Sequence, residues 1–180
     1  CAAANAIPVA EYTLAMILLS AKGVFGAAER YRHSRDHTLA VPLGTIGAYG
    51  ITVGIVGASR IGRRVLDLLR PFDVRTVLYD PTLTAADAAV LGTTLVTLQD
   101  LLAMSDVVSL HAPSLPSSER MIGAPELATM RDGATLINTA RGRLVDTDAL
   151  VAELHSERLR AVLDVTDPEP LPTDHALFTA

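Results

Sequence analysis

The stretch I-T-V-G-I-V-G-A-S-R-I-G, from Ile51 to Gly62, decides the fold of this chain. It begins with a β-branched run, Thr52 to Val56, and continues into closely spaced small residues. Beyond them the apolar residues, such as Ile61 and Val65, change from a period of 2 to a period of about 3.6. This order predicts a strand, a tight turn and a helix.

The turn nearly matches the dinucleotide-binding fingerprint G-x-G-x-x-G. Its three positions are Gly57, Ser59 and Gly62, so the middle glycine is replaced. That glycine normally lets the backbone approach a pyrophosphate, while the first makes the turn and the third lets helix and strand pack closely. The β-carbon of Ser59 could crowd the pyrophosphate, whereas its hydroxyl could donate to a phosphate oxygen. We expect altered or weaker binding geometry rather than lost binding.

An acidic residue follows the turn at a suitable distance. Asp80 lies 18 positions after Gly62, close to the spacing at which a carboxylate binds the ribose hydroxyls of the cofactor. It favours NAD, because it would repel the extra phosphate of NADP. The alternative is that Asp80-Pro81 only begins a turn, but the spacing after a near-fingerprint favours the cofactor role.

Composition and charge exclude several classes of function. The chain has 180 residues, 49% apolar and 19% charged, enough for one sizeable core of ordinary α/β composition. A net charge of −5, no basic run and 4% aromatics argue against a nucleic-acid surface. The single Cys1 cannot form an internal disulfide, and neither a leader nor an apolar run near 20 residues occurs. We therefore expect a soluble cytoplasmic protein without a membrane partner.

The two ends of the sequence suggest part of a longer protein. The chain begins at Cys1 rather than Met and enters an apolar helical pattern almost at once. It stops at Phe178-Thr179-Ala180 without a capping signal. For a site built from several segments, some of the residues are therefore expected outside these 180 residues.

Residues 8–31 form the first helical pattern, and Pro8 suits its first turn. The apolar residues lie almost all round this long helix, which predicts burial on more than one side. A core helix of this domain and an interface with a second domain or subunit are equally good interpretations.

His33 and His37 are four residues apart, but no third ligand of suitable type and spacing accompanies them, so solvated surface is favoured over a metal site.

From Thr52 onward, predicted strands alternate with predicted helices. The strands are 52–57, 74–79, 93–96, 107–111, 134–138 and 159–165, and the helices are 60–70, 84–91, 98–105, 125–130 and 147–156. Such alternation predicts an α/β fold with a doubly wound parallel sheet and right-handed connections.

The chemically capable polar residues outside the helices collect at the carboxyl ends of the predicted strands. They lie in 57–62, at Asp80, and in 111–113, 138–141 and 164–169. In a doubly wound sheet, ligands bind beyond these ends, near the switch in strand order. The sequence therefore predicts a cofactor and substrate site at this edge.

Two charged residues at these ends could act on a substrate. Arg141 follows a buried strand, where a guanidinium can hold a carboxylate with two hydrogen bonds, although a loop arginine is more often a solvated charge. Glu169 lies between two prolines that fix its loop. Its carboxylate could raise the pKa of a histidine and orient the ring, but an acidic residue in a surface turn is an equally good interpretation.

Six motifs, in order, together resemble one family. They are N-A-I-P-V-A-E-Y-T-L-A-M-I-L, T-V-G-I-V-G-A-S-R-I-G-R, Y-D-P, V-V-S-L-H-A-P, A-T-L-I-N-T-A-R-G-R-L-V-D and L-D-V-T-D-P-E-P-L-P. The sequence is similar to the D-isomer-specific 2-hydroxyacid dehydrogenases over nearly its whole length. The resemblance implies that residues 1–180 are a Rossmann-type NAD-binding domain with its connecting helix, and that most of the substrate domain precedes Cys1.

The resemblance also implies roles for single residues. Arg141 matches the arginine that binds the substrate's carboxylate and carbonyl oxygen, and Glu169 matches the glutamate that pairs with the catalytic histidine. Asp164 matches the aspartate that binds the nicotinamide carboxamide. The implied cofactor-binding residues are Gly57, Ser59, Arg60, Ile61, Gly62, Asp80, His111, Pro113, Thr139 and Asp164.

No histidine of the chain matches the catalytic one. His175 comes too early after Glu169, and a structural role is the better interpretation of His111. The catalytic histidine is therefore expected beyond Ala180.

The implied reaction is hydride transfer between NAD and a small D-2-hydroxy acid or 2-oxo acid. A homodimer formed through the N-terminal helix region is the implied assembly. Two alternatives remain open: an NAD-sensing scaffold or co-regulator of the same fold, and a relative that acts on formate or phosphite.

Overall fold

The structure is a computed structural model that describes residues 6–34 and 47–180. The helices are α1 (Ala6–Ala21), α2 (Val24–Ser34), α3 (Arg60–Leu69), α4 (Ala85–Val90), α5 (Leu98–Met104), α6 (Ala124–Thr129) and α7 (Thr147–His155). The strands are β1 (Thr52–Val56), β2 (Arg75–Tyr79), β3 (Thr94–Leu95), β4 (Val107–Leu110), β5 (Thr135–Asn138) and β6 (Arg160–Leu163). The predicted boundaries from Thr52 onward agree with these to within two residues.

The six strands form one parallel sheet in the order β3-β2-β1-β4-β5-β6. The first strand, β1, lies in the middle of the sheet. Strands β2 and β3 follow on one side of β1, and β4, β5 and β6 follow on the other side. The strand order therefore reverses between β1 and β4, the place where such sheets bind ligands. The doubly wound parallel sheet predicted from the sequence is confirmed.

The single N-terminal helix predicted over residues 8–31 is wrong in one respect, because the structure divides it into α1 and α2. The break lies at Gly23, whose φ of +67° is a left-handed conformation that glycine adopts without strain. The two helices meet at a bend of 58°.

Among the described residues, no single helix is long and apolar enough to cross a membrane. Only α1 and α2 taken together, as a bent pair, meet that length and composition.

Helix α1 packs on the sheet through one narrow stripe. The stripe consists of Ala6, Ala10, Thr13 and Ile17, and the helix contacts α3, β4 and β5. Apolar side chains on α1 and α2 stay exposed nonetheless: Ile7, Tyr12, Val24, Phe25 and Tyr31. The described residues thus show the core contact of the first interpretation, and they leave further apolar surface on α1 and α2 exposed.

The core has two parts, one on each face of the sheet, because alternate residues of a strand point to opposite faces. In β1, Val53 and Ile55 face α1 and α3, whereas Val56 faces the layer that includes α5. Gly54 lies on the α5 face, where a β-carbon would meet Leu101 and the Ser105 hydroxyl. The missing side chain lets α5 lie directly against the central strand.

We predict that Gly54→Ala lowers the free energy of unfolding by about 1–3 kcal/mol, because the added methyl overpacks the contact between β1 and α5. Urea denaturation would measure the change. The control is Gly26→Ala in α2, where the nearest atom to an added β-carbon is the flexible Arg30 guanidinium at 3.3 Å. That control should be neutral or raise stability by about 0.5–1 kcal/mol. Equal losses in the two variants would contradict the packing argument.

Candidate cofactor and substrate site

The turn between β1 and α3 needs glycine at its first and last fingerprint positions. Gly57 has a φ of +97°, and a β-carbon there would lie 2.7 Å from the Ala112 nitrogen and 2.8 Å from its Cα. A β-carbon on Gly62 would overlap the Gly57 carbonyl oxygen. Both glycines therefore permit close approach, the first between the turn and the end of β4 and the second between α3 and the turn.

Ser59 occupies the middle position without backbone strain, since its φ of −61° and ψ of 174° suit any L-residue. It is the N-cap of α3, and its Oγ accepts a hydrogen bond from the Gly62 nitrogen at 3.3 Å. The hydroxyl proton is not used in that bond and can still be donated to an anion. Arg60 and Ile61 follow in the first turn of α3, whose N-terminus favours a phosphate group.

Asp80 supports the same turn from the end of β2. Its Oδ2 accepts from the Ala58 nitrogen at 2.8 Å, and its Oδ1 accepts from the Thr82 nitrogen at 2.9 Å and hydroxyl at 2.6 Å. Partial burial opposes ionisation, but these hydrogen bonds, aided by the nearby Arg63, hold the pKa of Asp80 below its ordinary value. The close backbone approach of the fingerprint turn and the ionised carboxylate are features that suit a dinucleotide, and the contact of Asp80 with a ribose stays a prediction.

His111 lies under the fingerprint turn at the end of β4, and only 3% of it is exposed. Its Nε2 shares a hydrogen bond of 2.9 Å with the Ser109 hydroxyl, and its Nδ1 has no partner among the described residues. Burial lowers the pKa of His111 to about 4, so the ring is neutral at neutral pH. Pro113, two residues on, is exposed at the same edge of the sheet.

The end of β5 is fixed by hydrogen bonds of Asn138 and Thr139. Asn138 accepts from the Ala140 nitrogen at 3.1 Å and donates to the Arg141 carbonyl at 2.9 Å. The Thr139 hydroxyl, which the sequence assigned to the cofactor, instead bonds to the Thr13 hydroxyl of α1 at 3.0 Å. Its cofactor role stays a prediction.

Arg141 is exposed, and its Nη1 donates to the carbonyl of Ala140 at 2.6 Å. The next residue, Gly142, packs so tightly that a β-carbon would overlap the Thr166 carbonyl group. Thr147 adds a hydrogen bond of 2.9 Å to the Asp167 carbonyl. The loops that follow β5 and β6 are therefore held against each other.

This packing brings Arg141 close to the segment that carries Asp164 and Glu169. The Asp164 nitrogen donates to the Asn138 carbonyl at 3.0 Å, which aligns the end of β6 with the end of β5. The side chains of Asp164 and Glu169 are exposed at this edge. Their roles toward nicotinamide and histidine stay predictions.

His175 has a local structural role. Its Nδ1 accepts from the Leu177 nitrogen at 3.2 Å, which caps a single 3-10 turn at Ala176–Phe178. The ring also lines a polar cleft of about 210 Å³ together with Arg120, Asp146 and Asp167. The exclusion of His175 from the catalytic residues stays a prediction.

Sequence reasoning missed three residues that shape this site: Thr13, Gly142 and Thr147. Thr13 carried a signal, because it is a hydroxyl in an apolar helix at the spacing of the buried stripe. Gly142 also carried one, since a glycine directly after Arg141 indicates a close backbone approach. Nothing in the sequence pattern pairs Thr147 with the loop after β6.

We predict that His111 makes stability depend on pH. The unfolded ring takes up a proton near its ordinary pKa of 6.5, and the folded ring does so only near 4. The contribution of the neutral His111 ring to the free energy of unfolding is therefore fully present above pH 6.5 and is lost as the pH falls toward 4. At pH 5 the loss relative to pH 7.5 should be about 2 kcal/mol, measured by urea denaturation.

The matched variant is His111→Gln, whose side-chain amide can reach the position of the ring Nε2 beside Ser109 but does not titrate. Between pH 7.5 and pH 5, its free energy of unfolding should fall by about 2 kcal/mol less than that of the parent chain. Parallel curves for the two proteins would show that the buried ring does not cause the dependence.

Known proteins share this architecture. The sequence model described as D-isomer specific 2-hydroxyacid dehydrogenase, NAD binding domain, matches residues 14–180. The D-3-phosphoglycerate dehydrogenase of Mycobacterium bovis is 37% identical over 176 residues, covering 97% of this chain and 33% of that protein. The glyoxylate reductase of Aeropyrum pernix is 36% identical over 174 residues, covering 93% of this chain and 52% of that protein.

Among solved structures, the NAD-dependent formate dehydrogenase from Staphylococcus aureus in complex with NAD is similar, with a TM-score of 0.83 and 32% identity. The similarity covers 97% of this chain and 52% of that one. The chain thus spans about one third to one half of the length of these relatives. Because the family's NAD-binding domain matches nearly the whole sequence, the chain belongs to the D-isomer-specific 2-hydroxyacid dehydrogenases, and its cofactor is NAD.

Proposed function

We propose that this chain is the NAD-binding domain of a longer enzyme that interconverts a small D-2-hydroxy acid and its 2-oxo acid. The observation that carries the proposal is the close packing of Gly142 on Thr166. It joins the loops after β5 and β6, so that Arg141 and the exposed carboxylates of Asp164 and Glu169 lie at the edge that also carries the fingerprint turn. A substrate anion and a nicotinamide would meet there.

Arg141 is the residue proposed to bind the substrate. Its guanidinium can hold the carboxylate of a 2-oxo acid with two charge-assisted hydrogen bonds and polarise the neighbouring carbonyl. NADH, when bound, would supply the hydride that reduces this carbonyl carbon. Asp164 is proposed to bind the nicotinamide carboxamide, which would fix the face presented to the substrate.

A histidine beyond Ala180 is proposed as the proton donor, with Glu169 raising its pKa and orienting its ring. His111 does not suit this role, because its pKa of about 4 leaves the buried ring neutral at neutral pH. His175 does not suit it either, because its Nδ1 caps a local turn.

An enzyme acting on formate is the second candidate, and the similarity to a formate dehydrogenase favours it. Arg141 would serve equally well there, since formate is also a small carboxylate. An NAD-sensing scaffold is a third possibility, but the retention of both Arg141 and Glu169 speaks against it.

A homodimer is part of the proposal. The exposed apolar side chains on α1 and α2, including Tyr12, Phe25 and Tyr31, would be covered by a second copy of the chain. A cytoplasmic location stays a prediction from the composition.

We expect the complete protein to oxidise NADH with at least one of glyoxylate, hydroxypyruvate, pyruvate and phenylpyruvate, because Arg141 can hold the carboxylate that these 2-oxo acids share. The 180-residue chain alone should bind NAD weakly and turn over none of them, because it lacks the proposed histidine. NADH absorbance would be followed, together with reduction of NAD by formate. Turnover by the 180 residues alone would overturn the assignment of the histidine, and activity with formate only would favour the second candidate.

Arg141→Ala in the complete protein should reduce kcat/KM for the 2-oxo acid by at least about a hundredfold, because two charge-assisted hydrogen bonds are lost. NADH affinity, measured by fluorescence titration, should change by less than about twofold. The control is Arg143→Ala, since Arg143 is also exposed but lies in the 3-10 turn that follows. An unchanged rate in Arg141→Ala would rule out the proposed role.

A further inference from the structure

We propose that Thr13 of α1 is a positioning residue for the substrate-binding loop that carries Arg141. This inference rests on the proposed function, because it assigns Thr13 a part in the same site. The observation behind it is the buried hydrogen bond between the hydroxyls of Thr13 and Thr139, 126 positions apart in the chain.

The direction of this hydrogen bond follows from the single proton of each hydroxyl. Thr13 Oγ1 donates to the Val9 carbonyl at 2.8 Å, which uses its proton. It can therefore only accept from Thr139, whose hydroxyl donates across 3.0 Å. Thr13 is fully buried and Thr139 is 6% exposed, so water cannot replace either partner without opening the contact between α1 and the sheet.

The bond links α1 to the residues that place Arg141. Asn138 binds the Ala140 nitrogen and the Arg141 carbonyl, so it fixes the shape of the turn from within. Thr139 lies inside that turn, and its side chain reaches out to α1. Asn138 thus sets the conformation of the turn, and Thr13 sets its position relative to α1.

A purely structural threonine would not need this arrangement. The other members of the buried stripe, Ala6, Ala10 and Ile17, are apolar, and valine has nearly the shape of threonine. Thr13 already has the Val9 carbonyl as its acceptor, so the residue that needs this bond is Thr139, whose buried hydroxyl would otherwise have no hydrogen-bond partner among the described residues. The pair is therefore a specific connection between the helix and the loop.

The test compares Thr13→Val and Thr13→Ser in the complete protein. Thr13→Val keeps the volume but leaves the Thr139 hydroxyl without an acceptor, so kcat/KM for the 2-oxo acid should fall by about five- to tenfold. NADH affinity should stay within about twofold, because the fingerprint turn is untouched. Thr13→Ser restores the acceptor and should recover kcat/KM to within about twofold of the parent enzyme.

The matched control is Thr129→Val in α6, where Thr129 donates to the Pro125 carbonyl four residues earlier at 2.9 Å and has no hydrogen bond to the loop after β5. It should leave kcat/KM unchanged. Hydrogen exchange of a peptide covering residues 138–144 gives a readout besides activity. Exchange there should be faster in Thr13→Val than in the parent protein, Thr13→Ser or Thr129→Val.

The outcomes separate this inference from the proposed function. If the parent enzyme reduces a 2-oxo acid and Thr13→Val matches it in both kcat/KM and exchange, the positioning role is wrong. A loss in Thr13→Ser equal to that in Thr13→Val would also overturn it, because the acceptor would then be irrelevant. If the parent protein reduces none of the acids, the proposed function fails, and the exchange rates alone decide whether Thr13 holds the loop.

Discussion

The close approach of three backbone segments at the centre of the sheet is the constraint on which the rest of the structure depends. Gly57 turns the chain at the end of β1 with its Cα close to Ala112, and Gly62 presses the start of α3 against the same turn. These contacts leave no room for side chains. They fix where the N-terminus of α3 lies relative to the ends of β1 and β4, and the cofactor and substrate residues are arranged around that point.

Much of the fold could be predicted from the sequence because its signals are local. The alternation of strand and helix patterns after Thr52 predicted the elements to within two residues, and the spacing from Gly62 to Asp80 indicated the cofactor edge. Sequence reasoning missed the break at Gly23 because the apolar pattern continues across it. The glycine itself was the available signal, since a residue with a φ of +67° commonly ends a helix.

The candidate site could be predicted only in part, since its residues come together through contacts that leave little trace in the sequence. Strand ends predicted which residues would share an edge. They did not predict that Gly142 would pack on Thr166, or that the Thr139 hydroxyl would bond to Thr13 of α1. Such pairings depend on the three-dimensional spacing of β5, β6 and α1, which no local pattern records.

The hydrogen bond from the Ala58 nitrogen to Asp80 has a consequence for changing the cofactor preference. The carboxylate that would exclude a 2′-phosphate is also the acceptor that braces the fingerprint turn. A neutral apolar replacement that admits NADP would leave a partly buried backbone N–H without an acceptor. Asp80 therefore affects both the choice of cofactor and the rigidity of the turn. A change of cofactor preference needs an uncharged acceptor at position 80, such as an asparagine or serine oxygen, to accept the hydrogen bond from the Ala58 nitrogen.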